Sequence, residues 1–378
     1  MRKFTGLPVR ENFAHNRIPR TWLWATVVAF LVRLVVVGFV YQTFLDPVRD
    51  HWEFAFETGK IARSIVTGHG FGNPYYGVNT GPTAEIAPVF PYLLAGIMAV
   101  FGIYTKASAL VMLGLNSLFS ALTCVPIFFL AKKSFGLREA RWATWIWAFF
   151  PYAVYFSAVS MWDHALTALF LALLLLVAVY LEESTNLWAW AGFGLLWGLS
   201  ALTNPVVLGT LPFVGGWVCY RLHQQRRNWR ALAATAGLVV LMILAPWLIR
   251  NYQAFHRPVF LKDGLPLAFL DGNVGKALHW NDEAHDPCGN AAELAEFQRV
   301  GEPAYMAEKQ QEAHESINHF AVNRFGAVMR GNCRIFCHRH IGQHQIPLSF
   351  LAAGPPSGMG SNIVSQIASR LSSFRAKH

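Results

Sequence analysis

Residues 107–131, ASALVMLGLNSLFSALTCVPIFFLA, run without a charge and close on the basic stretch KKSFGLREAR at 132–141. An uncharged segment of that length, wound as a helix, crosses the roughly 30 Å hydrocarbon core of a bilayer. Comparable apolar stretches lie at 21–45, 140–160, 164–182, 187–204, 206–221 and 231–250. The whole chain of 378 residues agrees, being 54% hydrophobic and only 14% charged, with 14 Trp and 29 Phe. Soluble domains carry about a quarter charged residues, so the composition reads as an all-α multi-pass membrane protein. Intrinsic disorder, collagen and a disulfide-stapled secreted module are excluded by the apolar content and five scattered Cys. The net charge of +10 collects beside apolar segments, as the positive-inside rule requires, and no nucleic-acid motif accompanies it.

Charge sets the expected topology. The loops 132–141 and 221–230 (RLHQQRRNWR) are the two most basic connections and belong together on the cytoplasmic side. That holds if 87–103, APVFPYLLAGIMAVFGI, opened by Pro88 and Pro91, re-enters or lies in the interface instead of crossing. The expected organisation is then a cytoplasmic N-terminus at 1–20, a first transmembrane helix at 21–45 and a first extracytoplasmic loop at 46–106. A transmembrane bundle follows at 107–251, then an extracytoplasmic region at 252–330 and an atypical tail at 331–378. The first helix is too long for a cleavable signal core, and the protein is expected in the cell inner (plasma) membrane. In the first loop, HWEFAFETGKIARSIV at 51–66 alternates as an interfacial amphipathic helix. Its Trp52, Phe54, Phe56, Ile61 and Ile65 form the apolar face, and Glu53, Glu57, Lys60 and Arg63 the polar one.

Ionisable residues in or beside membrane helices are functional candidates, because their burial is costly. Asp163, in SMWDHAL, and the loop acids Asp50, Glu53 and Glu57 all fall on the outer side of this topology, as a general base and its supporting carboxylates would. The rival reading for the loop acids is a solvated helix face, and for Asp163 a helix N-cap. Arg33 sits in mid-helix and needs an internal partner or a snorkelling path; it receives no catalytic role. Arg250, ending the last apolar run, and Lys262 are placed to stabilise a lipid phosphate. The tail offers Cys333, Cys337, His338, His340 and His344, whose spacing matches no common structural zinc pattern, so no metal site is assigned. Walker, GxSxG and HExxH sequences are absent, which counts against a nucleotide-driven pump and the common hydrolases.

Four segments together resemble a known family. GPTAEIAPVFPYLLAGIMAVFG (81–102), KKSFG (132–136), GLLWGLSALTNP (194–205) and APWLIRNYQAFHRPVFLKD (245–263) are similar to bacterial family 39 membrane glycosyltransferases. These are relatives of the protein O-mannosyltransferases and of the lipid A aminoarabinose transferase. DGNVG (271–275) and GEPAYMAEK (301–309) resemble the outer region of some members. The resemblance implies a GT-C-type helical bundle and inverting transfer of a sugar from a polyprenyl-phosphate donor on the extracytoplasmic face. It also implies that a first-loop carboxylate is the base. Glu57, in FETGKIA, matches that loop best, and Asp163 matches a second acidic position, although the family's Asp-Glu pair is not present as such. No cofactor is required, and a divalent cation beside the phosphate is compatible with the chemistry. The partners implied are a polyprenyl-phosphate-linked sugar, membrane lipids and an unidentified acceptor, with no nucleic acid. From about Phe320 the chain departs from the family, which suggests truncation or alteration at the C-terminus. A transporter or flippase for a lipid-linked or small anionic substrate, and an inactive truncated member, are the alternative readings.

Overall fold

The computed structural model describes residues 20–44, 54, 57–75, 79–273, 287 and 290–329, with side chains of 40–44, 271–273 and 318–329 excepted. Asp50 and Glu53, the apolar Trp52 and Phe56, and the whole tail from 330 lie outside the described residues.

Every element is helical; among the described residues the nearest thing to sheet is one isolated bridge between Gly72 and Pro82. In chain order the helices are α1 (Thr21–Phe44), α2 (Glu57–Val66), α3 (Val89–Phe101), α4 (Lys106–Leu122), α5 (Cys124–Ser134), α6 (Leu137–Phe149) and α7 (Pro151–Val159). They continue as α8 (His164–Leu181), α9 (Leu187–Thr203), α10 (Leu211–Gln224), α11 (Trp229–Phe255), α12 (Leu265–Asn273), α13 (Ala291–Val300) and α14 (Glu302–Met329). Five stretches among the described residues are long and apolar enough to cross a membrane: Thr21–Phe39, Lys106–Ser134, His164–Leu181, Pro205–Gln224 and Trp229–Phe255. Their outer surfaces leave Val35, Leu238, Leu241 and Met242 exposed, as lipid-facing side chains are. The protein is an all-α membrane protein, every element among the described residues being a helix.

One segment expected not to cross is short, and one expected to be a single helix is broken. α3 has 13 residues, about 20 Å at 1.5 Å per residue, too short to cross unaided. It turns back at Gly102 and packs on α2 and α4. The single helix expected over 140–160 is corrected to two, α6 and α7, broken at Phe150. Pro151 supplies no N–H and pushes the preceding residue into the extended region; Phe150 has φ −62° and ψ 113°.

That break accounts for Arg33. With Pro151 unable to donate, the ladder at the end of α6 is cut short, and Trp147 O is left with the Phe150 N–H at 3.2 Å. Arg33, fully buried on α1, donates Nη1 to Ala148 O at 3.0 Å and to Ala29 O at 2.9 Å. Its Nη2 reaches Trp147 O at 3.4 Å, and its Nε reaches Ser120 Oγ at 3.0 Å. A cation at a helix C-terminus also meets the negative end of the helix dipole. The mid-membrane arginine is therefore a structural patch joining α1, α4 and α6.

The bundle has two distinct ends. At one, the turn after α8 is tied to both basic loops: Lys133 pairs with Glu183 at 3.1 Å and Arg221 with Glu182 at 2.9 Å. The loops 132–141 and 221–230 therefore share an end. At the other end, α2, the 67–88 loop, the turn carrying Asp163 and the chain after Arg250 converge. Phe71 and Ile61 pack there with Ala201, Leu244, Trp247 and Leu261.

Candidate active site

α2 begins at Glu57, whose carboxylate stands in the first turn, where the helix dipole favours negative charge. One face of α2 buries Thr58, Gly59, Ile61, Ala62 and Ser64, while Arg63 stays exposed. Gly59 is obligatory because a Cβ there would lie 2.2 Å from Phe54 O. The helix thus lies against protein, on Phe90, Leu94 and Met98 of α3. Beyond it the chain doubles back over 72–82. Asn73, at φ 56°, accepts from the amides of Thr80 and Gly81 at 2.9 and 3.0 Å and fastens the turn.

Arg250 clamps this loop to the end of α11. Its Nη1 donates to Thr83 O at 2.6 Å and to Asn251 Oδ1 at 3.1 Å, and its Nη2 donates to Phe71 O. The guanidinium lies 4.9 Å from the Trp247 ring centre and 5.2 Å from that of Phe71. It also lines an open cleft of about 430 Å³ with His69, Asn73, Asn79 and Gln253. Much of the donor capacity of Arg250 is committed to backbone carbonyls. Lys262 is partly exposed nearby in sequence and does not line that cleft.

Around the clamp stands an acidic cluster that sequence reasoning missed: Glu85, Asp263 and Glu302, with Tyr75. The peptide of Ala84 is gripped from both sides. Its N–H donates to Glu302 Oε1 at 2.5 Å, and its carbonyl accepts from the Asp263 amide at 3.0 Å. Gly264 lies so close to Glu85 that a Cβ would come within 2.8 Å of Glu85 O. Tyr75 is buried with Leu267, Phe297, Tyr305 and Met306, so the region after α11 folds back onto the first loop. Burial pushes the Tyr75 hydroxyl well above its usual range, and the charges of Glu85, Glu57 and Glu302 push it further. Glu57 is therefore within electrostatic reach of this cluster. Burial raises Asp263 to about 6, against contrary pulls from Glu302 and Arg257. Glu302 is raised well above the usual carboxylate range by burial first and by Asp263 second. Two carboxyls in contact in a buried place hold a proton between them more readily than two charges.

Asp163 occupies the N-cap position of α8, but its side chain does not cap the helix. Instead Oδ2 accepts from Asn204 Nδ2 at 2.9 Å and from Thr167 Oγ1 at 3.2 Å. The N-cap reading is thereby corrected: Asp163 ties the start of α8 to the end of α9. Met161 and Trp162, just before it, pack in the same cluster as Phe54 and Ala62. The structure thus brings Asp163, Glu57 and Arg250 to one end, with Asp163 held by Asn204 and Thr167. The missed acids are scattered at 85, 263 and 302, and each alone looks like surface. The available signal was Glu85, a lone acid between Ala84 and the apolar start of α3, and Asp263 followed directly by Gly264. Among the described residues no three His, Cys, Asp or Glu are arranged to hold a metal ion.

Comparison with known proteins bears directly on this end. Residues 85–249 match the family of dolichyl-phosphate-mannose-protein mannosyltransferases. The resemblance to the family 39 membrane glycosyltransferases is borne out over that span, which runs from Glu85 through the bundle to the residue before Arg250. The chain is also similar to the crystal structure of the Archaeoglobus fulgidus oligosaccharyltransferase tethered with an acceptor peptide containing the NVT sequon via a disulfide bond. That likeness has 18% identity and a TM-score of 0.45, and covers 84% of this chain. The chain spans 38% of the oligosaccharyltransferase's length. No curated protein sequence matches it.

Proposed function

We propose that the protein is a glycosyltransferase of the GT-C type that moves a sugar from a polyprenyl-phosphate donor to a lipid, glycan or protein acceptor on the extracytoplasmic face. The observation that carries the reading is the family match at 85–249. Its two ends meet at one site, where Arg250 holds Thr83 O and the Glu85 amide donates to Thr83 Oγ1.

A polyprenyl phosphate is already a competent leaving group, so the enzyme has to position the acceptor, remove its proton and meet the departing charge. Glu57 is the proposed base. As it takes the acceptor's proton, the acceptor oxygen or nitrogen forms a bond to the anomeric carbon. The bond from that carbon to the phosphate oxygen breaks, and its electron pair leaves with the polyprenyl phosphate. Asp163, held by Asn204, is proposed to orient the acceptor, and Asp50 and Glu53 are further carboxylates of the same loop. Arg250 and Lys262 are proposed to stabilise the phosphate as charge grows on it. Arg250 faces the cleft while its guanidinium is fixed by carbonyls and aromatic rings, so little reorganisation is needed as that charge develops. The acceptor and donor live partly in the bilayer, which suits a site at the end of a helical bundle.

The test is to incubate purified protein, reconstituted in vesicles, with a radiolabelled polyprenyl-phosphate sugar and candidate acceptors. Label moving to an acceptor supports the proposal. Label accumulating inside vesicles without transfer would replace it with a transporter.

A further inference from the structure

The opposite end of the bundle has a use that the proposed transfer does not account for. Three turns meet there: 132–141, 182–186 and 221–230. Two acids, Glu182 and Glu183, sit among them and both are paired, Glu182 largely covered and Glu183 on the surface. Glu182 accepts from Arg221 Nε at 2.9 Å and Glu183 from Lys133 Nζ at 3.1 Å. Their backbone carbonyls are occupied too, Glu182 O by Gln225 Nε2 at 3.1 Å and Glu183 O by Arg227 Nη1 at 2.7 Å. The glutamates thus staple the three turns together and are spent in doing so. What faces outward is nearly all positive. Arg138, Arg141, Arg226, Arg227 and Arg230 are exposed and Lys132 is partly so, against two exposed acids in these turns, Glu139 and the Lys133-paired Glu183.

Aromatic side chains ring the same end. Phe135 is 76% exposed, Trp142 64% and Trp188 86%. Arg138, Arg141 and Trp142 are three and four residues apart on α6, so they share one helical face. An exposed indole set among guanidinium groups, directly beside apolar spanning helices, is the pattern of a membrane–water interface. A nucleic acid or an acidic protein would need the cations to stand clear of the bilayer; here they adjoin exposed rings and apolar helix surface.

We propose that this end of the bundle is a docking surface for anionic phospholipid headgroups, with Lys132, Arg138, Arg141, Arg226 and Arg230 supplying the charge. Phosphate oxygens take the forked donors of the arginines, while Trp142, Trp188 and Phe135 settle at the glycerol level. Each cation near an anionic bilayer surface adds attraction that fades within a Debye length. The preference should therefore be strong in low salt and lost in high salt.

The experiment uses the full chain reconstituted in phosphatidylcholine vesicles doped with spin-labelled phosphatidylglycerol or spin-labelled phosphatidylcholine. Electron spin resonance reads the motionally restricted fraction of each lipid. Phosphatidylglycerol should be favoured about three- to tenfold at low ionic strength, and the ratio should approach one in about 1 M salt. The combined variant Arg138→Gln, Arg141→Gln, Arg226→Gln, Arg230→Gln should lose the preference while the protein keeps its helical circular dichroism. Should that variant fail to insert, the set with Lys at the same four positions serves instead and should retain the preference. An equal restricted fraction for the two lipids in the parent protein would overturn the proposal. So would full retention of the preference in the Gln set. Abolition by millimolar inorganic phosphate would also overturn it, in favour of simple anion binding, and tighter binding of a short RNA than of phosphatidylglycerol vesicles would reassign the surface to nucleic acid. Sugar transfer enters none of these readings, so the surface stands or falls apart from the catalytic proposal.

Discussion

Replacing Asp263 by Asn tests whether the acidic cluster governs how the first loop is held. The Asp263 amide donates to Ala84 O and Glu302 accepts from Ala84 N–H, so the chain after α11 is fastened to the first loop through one peptide. Burial lifts the Asp263 carboxyl from 3.8 to about 6, a rise of roughly two units, or a ceiling of about 3 kcal/mol at about 1.4 kcal/mol per unit. Asp263 keeps some solvent contact, so about half of that, roughly tenfold in an equilibrium, is the expected effect. The sign follows from linkage. A carboxyl whose folded value is raised favours the docked state when protonated, so docking is strongest below its ordinary range and weakens as pH climbs through about 6. The groups facing it are Glu302, Arg257, Tyr75, Glu85, Glu57 and Arg250, none of which changes in the Asn variant. The assay is hydrogen exchange at the Ala84 and Asp263 amides between pH 5 and 8, normalised for intrinsic rates. Protection should fall about tenfold in the parent protein and fall less steeply in Asp263→Asn, where Glu302 is the raised carboxyl that remains. Glu302→Gln keeps an acceptor for Ala84 and should preserve the transition near 6, since burial is its main cause. Parent protection that does not change with pH, or an unchanged slope in Asp263→Asn, would refute the reasoning.

Four further outcomes are expected. Glu57→Gln should lower turnover by about 10²–10⁴-fold with little change in donor binding, and Asp163→Asn should lower it too, as read with labelled donor; Asp50→Asn and Glu53→Gln should be mild. Gly264→Ala forces a Cβ to within 2.8 Å of Glu85 O and should cost about 1–3 kcal/mol, seen as faster exchange at Ala84. Arg33→Met removes the side-chain donor from Ala148 O, while Trp147 O keeps the Phe150 N–H, and should lower the denaturation midpoint, at a cost of about 1–3 kcal/mol. Single Cys labels at 136 and 225 should be shielded from an impermeant reagent in intact cells, and labels at 78 and 285 should react; outside labelling at 136 would mean that 87–103 crosses the membrane and that this topology is wrong.

The sequence by itself determined the class of protein and where most helices run. Uncharged stretches such as 107–131 and 231–249 have one stable form in lipid, because the backbone must satisfy its own hydrogen bonds. Local chemistry also marked α2, where apolar and charged residues alternate at helical spacing, and the ordered segments 81–102, 194–205 and 245–263 carried the family resemblance. The two basic loops could be matched to each other by charge alone. What sequence could not supply was the pairing of distant residues. Asp163 reads as a functional carboxylate with a helix N-cap as the rival, and only the fold shows Asn204, 41 positions away, holding it. Arg33 reads as an anomaly until the Pro151 break, which is local, is carried to it by the packing of α1 on α6. Glu302 and Asp263 are ordinary acids until the fold sets Ala84 between them. A helix needs partners only four residues apart, so its position is written in the chain. A buried charge needs whatever partner the packing delivers, and that partner was fixed only when the bundle closed.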